Sequence, residues 1–348
     1  MQKILIFLFV IIINYLYKAQ EFIIKDLHLL RYYELTNEAE NAILSNDLVS
    51  ANNLYKKAFR EINNPHAKDL NNSMMLSLKV KDFDTAFNHN QSLKCLGKEF
   101  SNDFMAENFQ NLEKYRVKPC ENKIDLQYKK TLDSLFEIDQ YYRKLSGGNY
   151  QLHKKELTEN DSIASVNLLK MIQKKGFPNE YNIGLGSTND LFYQKFYYII
   201  WHQLATNMYS SQKVNFSKEI EKALNEGKIR PDIAGQLFDL NNGTSNYSFF
   251  KIYEFILNNE KADCCYISEA ILPERRTEKA NNKIKEINRR RKLIGLSSTE
   301  EEVRKNIFFI KNKSFVFTSI TKEGFQFNNI SDVASFKKHL IKLDDITH

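Results

Sequence analysis

The sequence predicts a mainly α-helical protein: helical hairpin repeats, then a helical domain, then a small C-terminal α+β element built from a β-hairpin and a helix. Three observations carry this expectation. The 348 residues include only 11 Gly and 5 Pro, too few for the many tight turns of a β-sandwich or barrel. Apolar residues recur at three- and four-residue spacing through most of the chain. A segment near the N-terminus also echoes itself after 35 residues.

The first element is expected to be a secretory signal over residues 1–19. Lys3 supplies a short positive start, Ile4–Ile13 is an unbroken apolar run, and Ala19 ends a more polar stretch. Ten residues span about 15 Å as a helix, half a bilayer core, so cleavage near Ala19 is favoured over an N-terminal membrane anchor. Export to the periplasm or beyond follows, with no membrane span in the mature chain. Removing the signal takes the formal charge from +7 to +5, because Lys3 and Lys18 leave with it.

Residues 20–118 form the repeat region. Asn46-Asp47 precedes Ala51, Tyr55 and Ala58, and Lys81-Asp82 precedes Ala86, Asn90 and Leu93. A turn around an Asp followed by a small residue suits two closely crossing helices, where nothing larger fits. The pattern resembles the tetratricopeptide repeat. The resemblance implies a stack of helical hairpins that presents a surface to a protein partner and carries no chemistry. A further helical pair is expected over Ser101–Glu113.

Residues 119–300 read as a second, helical region after a linker with Pro119 and Cys120. Leu132, Leu135, Phe136, Tyr142 and Leu145 make an apolar stripe with Asp139 inside it. A carboxylate there must be paired, and Arg143, four residues on, is the natural partner. Asn160-Asp161 is expected to open the next helix, which Gly176-Phe177-Pro178 ends. Ser187 and Asp190 form a capping box ahead of Phe196–Trp201, six apolar residues that predict a central helix. His202 follows them, as a core histidine or as a general base. A helix over Phe216–Asn225 and another from Pro231 to Leu240, carrying Asp239, complete the region.

The order of Asp139-Gln140-x-x-Arg143, Asp161, Gly176-Phe177-Pro178, Trp201-His202-Gln203, Asp239 and Arg291-x-x-x-Gly295-Leu296 resembles a bacterial domain family of unknown function. That family shows Asp-Gln-x-x-Arg, Gly-Trp-Pro, Gln-His-Ala and Arg-x-x-x-Gly-Leu in succession. Phe177 replaces its tryptophan, and the histidine motif is permuted. The resemblance implies architecture over roughly Leu132–Leu296 and no established activity.

Residues 301–348 are expected to hold strands over Ile307–Ile310, Ser314–Ile320 and Gly324–Asn328, closed by a helix over Val333–Leu343. The basic run Arg289–Lys292 on a helix points its side chains in different directions, so a solvated face is expected rather than a phosphate site. Nothing resembles a nucleic-acid-binding module. Cys95 and Cys120 are possible partners, whereas adjacent Cys264 and Cys265 are expected not to bridge each other. The seven His are scattered, and no structural metal site or cofactor is expected.

Three functions compete. The first is a non-catalytic, exported scaffold that binds a protein partner through the repeats. The second is a hydrolase using His202 as base, Asp139 or Asp239 to orient it, and Arg143 or Arg291 to hold an anion. It requires His202 and a carboxylate within about 3 Å, opening into a pocket. The third is a basic surface that docks on anionic envelope polymers.

Overall fold

The structure, a computed structural model, describes residues 21–109, 119–121, 123–186, 191–204, 213–248, 250–258, 263–317 and 322–346. The expected signal segment and the Ser187/Asp190 capping box lie outside the described residues.

Two helical hairpins open the fold: α1 (Leu27–Leu44) with α2 (Leu48–Ala58), and α3 (Ala67–Lys79) with α4 (Phe83–Cys95). Their turns share one geometry. Asn46 and Lys81 adopt positive φ of 58° and 61°. The next residues, Asp47 and Asp82, donate their N–H to Ala42 and Ser77 carbonyls at 2.9 and 2.8 Å. Each Asp then caps the following helix, accepting from Ser50 N–H or Thr85 N–H. Ala51 and Ala86 are fully buried at the crossings. The hairpins are stitched together by Asn52, which donates to Asp82 Oδ2 at 3.0 Å and accepts from Ser77 Oγ at 2.9 Å. Of the expected further pair, the described residues contain one short helix, α5 (Asn102–Asn108).

α1 and α3 form the inner layer. Nearly every residue of Ala67–Ser77 is buried, whereas α2 and α4 bury a single stripe each. α1 shares one apolar core with the rest of the chain, Tyr32, Tyr33 and Leu35 lying in the same cluster as Phe216, Ile220 and Ile233, whereas Ala67, Leu70 and Met74 of α3 pack in a second cluster with Leu185.

The helical region begins with a long hairpin of α6 (Leu126–Ser146) and α7 (Lys154–Lys175), joined by a 3-10 turn over Tyr150–His153. Asn160-Asp161 does not open α7. The helix runs from Lys154 straight through both, because Leu157, Asp161, Ala164 and Leu168 already fall on its buried face. Gly176 ends it at φ +83°. Then come α8 (Glu180–Ile183), α9 (Tyr197–Trp201), α10 (Ser217–Asn225), α11 (Pro231–Asn242), α12 (Glu278–Leu293) and α13 (Thr299–Lys311). α9 is central as expected, with Tyr197, Ile199 and Ile200 buried.

A four-stranded sheet in the order β3-β1-β2-β4 completes the fold, with α14 (Ile330–Lys337) against it. β1 (Ile252–Leu257) pairs antiparallel with β2 (Asp263–Ser268) and parallel with β3 (Lys322–Phe327), and β4 (Leu340–Lys342) pairs antiparallel with β2. The expected strand Ile307–Ile310 is instead the last part of α13. A capping box of Ser298 and Glu301 and three glutamates in the first turn start that helix, and Val303 and Ile307 share its buried face. Of Ser314–Ile320, the described part is extended but joins no strand. Asn72 holds it, donating to the Val316 carbonyl at 2.6 Å and accepting from Val316 N–H at 2.8 Å. Phe315 and Phe317 pack beside Ala39, Ile43, Tyr55 and Leu76 of the hairpins. The closing helix stops at Lys337, and Leu340–Lys342 becomes an edge strand.

Cys95 and Cys120 are disulfide-bonded. So, against expectation, are Cys264 and Cys265, which a cis peptide bond joins.

Candidate functional site

The apolar stripe of α6 decides where its carboxylate goes. Tyr128, Leu132, Leu135 and Asp139 occupy one buried face at spacings of four, three and four, so Asp139 enters the core with its neighbours and is fully buried. α7 does the same with Asp161. One turn beyond Asp139, Arg143 reaches across the hairpin. Its guanidinium forks onto Asp161, with donor–acceptor distances of 2.7 and 2.9 Å. It also donates to the Asp139 carbonyl at 2.6 Å and lies 3.4 Å from Asp139 Oδ1.

From the end of α9, His202 places Nδ1 at 2.8 and 2.9 Å from the two Asp139 oxygens. Gln140 donates to Asp139 Oδ2 at 2.7 Å. Gln203 braces the same junction, reaching the Asp161 carbonyl at 3.5 Å and accepting from Val214 N–H at 3.1 Å. Three helical elements therefore meet on one ionic cluster. Burial raises the Asp161 carboxyl above the usual range even against the Arg143 fork, with Asp139 adding repulsion. Burial also works against the Arg143 charge, yet the bond to Asp161 and the field of Asp139 prevail and raise its pKa.

Asp139, Asp161 and His202 could together offer ligand atoms to a metal, all within 4.8 Å. The donor set is already matched to a different cation. Arg143 stands on Asp161 and beside Asp139, so a divalent ion would have to displace a guanidinium bound through two parallel hydrogen bonds.

Asp239 and Arg291 lie elsewhere. Asp239 closes the loop after α11, accepting from Thr244 Oγ1 at 2.6 Å, Asn246 N–H at 2.8 Å and Tyr247 N–H at 2.9 Å. Arg291 is buried and braces the turn after α12. It donates to the Ser297 and Tyr247 carbonyls at 2.7 and 2.6 Å and pairs with Glu302 at 2.7 Å. Both residues border a cleft of about 380 Å³ that also has Trp201, Phe250 and Lys251 in its wall. Asp139, Arg143, Asp161 and His202 do not line that cleft. The structure thus brings His202, Asp139 and Arg143 together and leaves Asp239 and Arg291 outside the group. Two other basic residues of the run are paired as well, Arg289 with Glu286 and Glu21, Arg290 with Glu286.

A second buried network went unread in the sequence. Glu40 of α1 pairs with Lys68 at 2.6 Å and with Lys305 of α13 at 2.7 Å. Lys68 also meets Asp69 at 3.0 Å and donates to the Phe317 carbonyl at 3.0 Å. Tyr32 donates to Asp69, and the His66 ring lies between Tyr33 Oη at 3.0 Å and Glu180 at 3.3 Å. Arg230 forks onto Asp232 at 3.0 and 2.9 Å. Glu40 on the mostly apolar buried face of α1 is the legible sign of it.

Comparison with protein-family profiles, curated proteins and solved structures finds no match.

Proposed function

We propose that the chain is a non-catalytic, exported interaction scaffold whose ionisable groups brace helix against helix. The observation that carries this reading is the burial of its best acid–base group away from the cleft. Asp139 and Asp161 are fully buried, Arg143, Gln140 and the Nδ1 of His202 bond to them, and none of these groups lines the cleft that Asp239 and Arg291 share. The Cys95–Cys120 bond supports an oxidising compartment, which agrees with the apolar segment Ile4–Ile13.

A partner reaching the hairpins has only their outer layer to hold. The inner layer is covered by the chain's own Phe315–Phe317 segment and by the buried ion network. Val49 and Phe83, exposed at the starts of α2 and α4, are the apolar handles there. Because α1 and Ala58 of α2 belong to the common core, deleting the hairpins would unfold the protein. The test is affinity capture from an envelope fraction with wild type beside V49E/F83E. Loss of a specific captured partner supports the reading; an unchanged set of partners removes the hairpins from it.

The hydrolase reading retains one favourable observation, the 2.8 Å approach of His202 to Asp139. H202N separates it from the scaffold reading: a bracing histidine changes stability, whereas a general base abolishes turnover of an ester or amide panel at unchanged stability.

A further inference from the structure

The cleft of about 380 Å³ lies where the helical region meets the sheet, and its volume is that of a small-molecule site. Trp201 at the end of α9, Gln236 and Leu240 of α11, Asn306 of α13 and Ile252 of β1 border it, and the loop after α11 closes one side.

The carboxylates in its wall already have partners. Asp239 accepts three hydrogen bonds from its own loop, and Arg230 forks onto Asp232. Glu302 pairs with Arg291, and Glu323 with Lys251. With Lys283, also in the wall, the four carboxylates are matched by four cations. No excess charge remains to select an anion or a cation.

What the cleft offers beyond these pairs is neutral. Ser245 and Ser248 present exposed hydroxyls, and Gln236 and Asn306 contribute amides. Hydroxyls and amides both donate and accept, whereas a carboxylate only accepts and an ammonium only donates. An amide has several hydrogen-bonding positions, so one committed within the protein keeps others. Apolar surface stands beside them. Trp201 is half-buried and stacked on Tyr198 with ring centroids 6.1 Å apart, and Phe250 borders the same space.

We propose that this cleft binds a neutral mono- or disaccharide, with sugar hydroxyls on Gln236, Asn306 and the two serines and C–H faces against the aromatic side chains. A charged ligand would have to break a pair already formed. A purely apolar one would leave hydroxyls and amides without partners. A sugar ring meets both demands, because its carbon-bound hydrogens lie on its faces and its hydroxyls around its edge. Val49 and Phe83 border no part of the cleft, so the inference stands or falls separately from capture through the hairpins.

Trp201 is the sole tryptophan of the chain, so intrinsic fluorescence reports on this wall directly. The experiment titrates the purified chain with cellobiose, maltose and N,N′-diacetylchitobiose, and calorimetry repeats the series beside galacturonate and adenosine. At least one of the sugars is expected to give a saturable change that added salt leaves unaltered. Q236A/N306A weakens it by about tenfold, and S248F, which places a ring in the cleft, does so by about tenfold as well. Far-ultraviolet circular dichroism and a cooperative urea transition identify the variants that fold, and S248F alters only an exposed position. No saturable change with any of the three sugars overturns the proposal. So do tighter binding of galacturonate or adenosine, binding that salt abolishes, and folded variants that bind like wild type.

Discussion

Replacing Arg143 by methionine tests whether the Asp139–Asp161 group is a strut or a site. The substitution keeps an unbranched apolar stem and removes the guanidinium forked onto Asp161. Two fully buried carboxylates then face each other, with Asp139 retaining Gln140 and His202 and Asp161 losing its charged partner. Breaking a buried pair from one side costs about 3–5 kcal/mol. Arg143 keeps 13 % of its side chain exposed, which places the expectation near the lower end, about 3 kcal/mol. The double variant R143M/D161L takes away the orphaned charge as well and recovers most of that loss.

The pH dependence carries a definite sign. The Asp161 carboxyl is already raised by burial, and without Arg143 it rises further. An acid whose folded pKa exceeds its unfolded one destabilises the fold above that folded pKa, and the penalty fades as protonation sets in below it. The gap between wild type and R143M should therefore be widest near neutrality and narrow in acid. Urea unfolding followed by circular dichroism at several pH values measures it. A loss under about 1 kcal/mol, or a gap that widens in acid, would refute the bracing argument.

Three further outcomes follow from the same coordinates. Burial alone would raise the Glu180 and Asp232 carboxyls, but His66 and the Ala67 N–H hold Glu180 down at about 2, and Arg230 holds Asp232 at about 2. Both are depressed in the fold, so the stability they lend is complete above their unfolded values of 4.5 and 3.8 and is lost as pH falls toward 2, about 3 kcal/mol for Glu180; E180Q should flatten that acid limb. Asn72→Ala leaves the Val316 N–H and carbonyl without their side-chain partners, at a cost of about 2 kcal/mol, and hydrogen exchange should rise at Val316 before it rises in α3. C95S/C120S opens a link spanning 25 residues, and chain-entropy reasoning gives a loss of about 3 kcal/mol in the urea midpoint series; an unchanged midpoint would mean the unfolded chain is not constrained by it.

Much of the helical frame was legible because local physics sets it. Asp47 and Asp82 cap their helices and Ala51 and Ala86 sit at the crossings, since a short acceptor and a small side chain suffice whatever surrounds them. The Asp139–Arg143 spacing likewise placed both on one side of α6. The C-terminal region was less legible. The continuous apolar run Ile307–Ile310 suits a buried strand or a helix alike, and the Ser298–Glu301 capping box with Val303 four residues before Ile307 resolves the choice in favour of helix. β1 and β2 were passed over although Ile252–Leu257 is rich in β-branched and aromatic residues, because a strand's worth depends on its partners, and β3 lies far along the chain.

The sequence by itself determined the Asp-capped turns of the two hairpins and the inward face of α6, because caps and periodicity act within a few residues. The start of α7 and the helical end of α13 depended on what their buried faces pack against. Tertiary structure alone decided that Arg143 would choose Asp161, that His202 would meet Asp139, and that Asp239 and Arg291 would serve loops of their own. Arg143–Asp161 and His202–Asp139 join residues 18 and 63 positions apart, and a buried charge takes whichever partner the packed core brings within hydrogen-bonding reach.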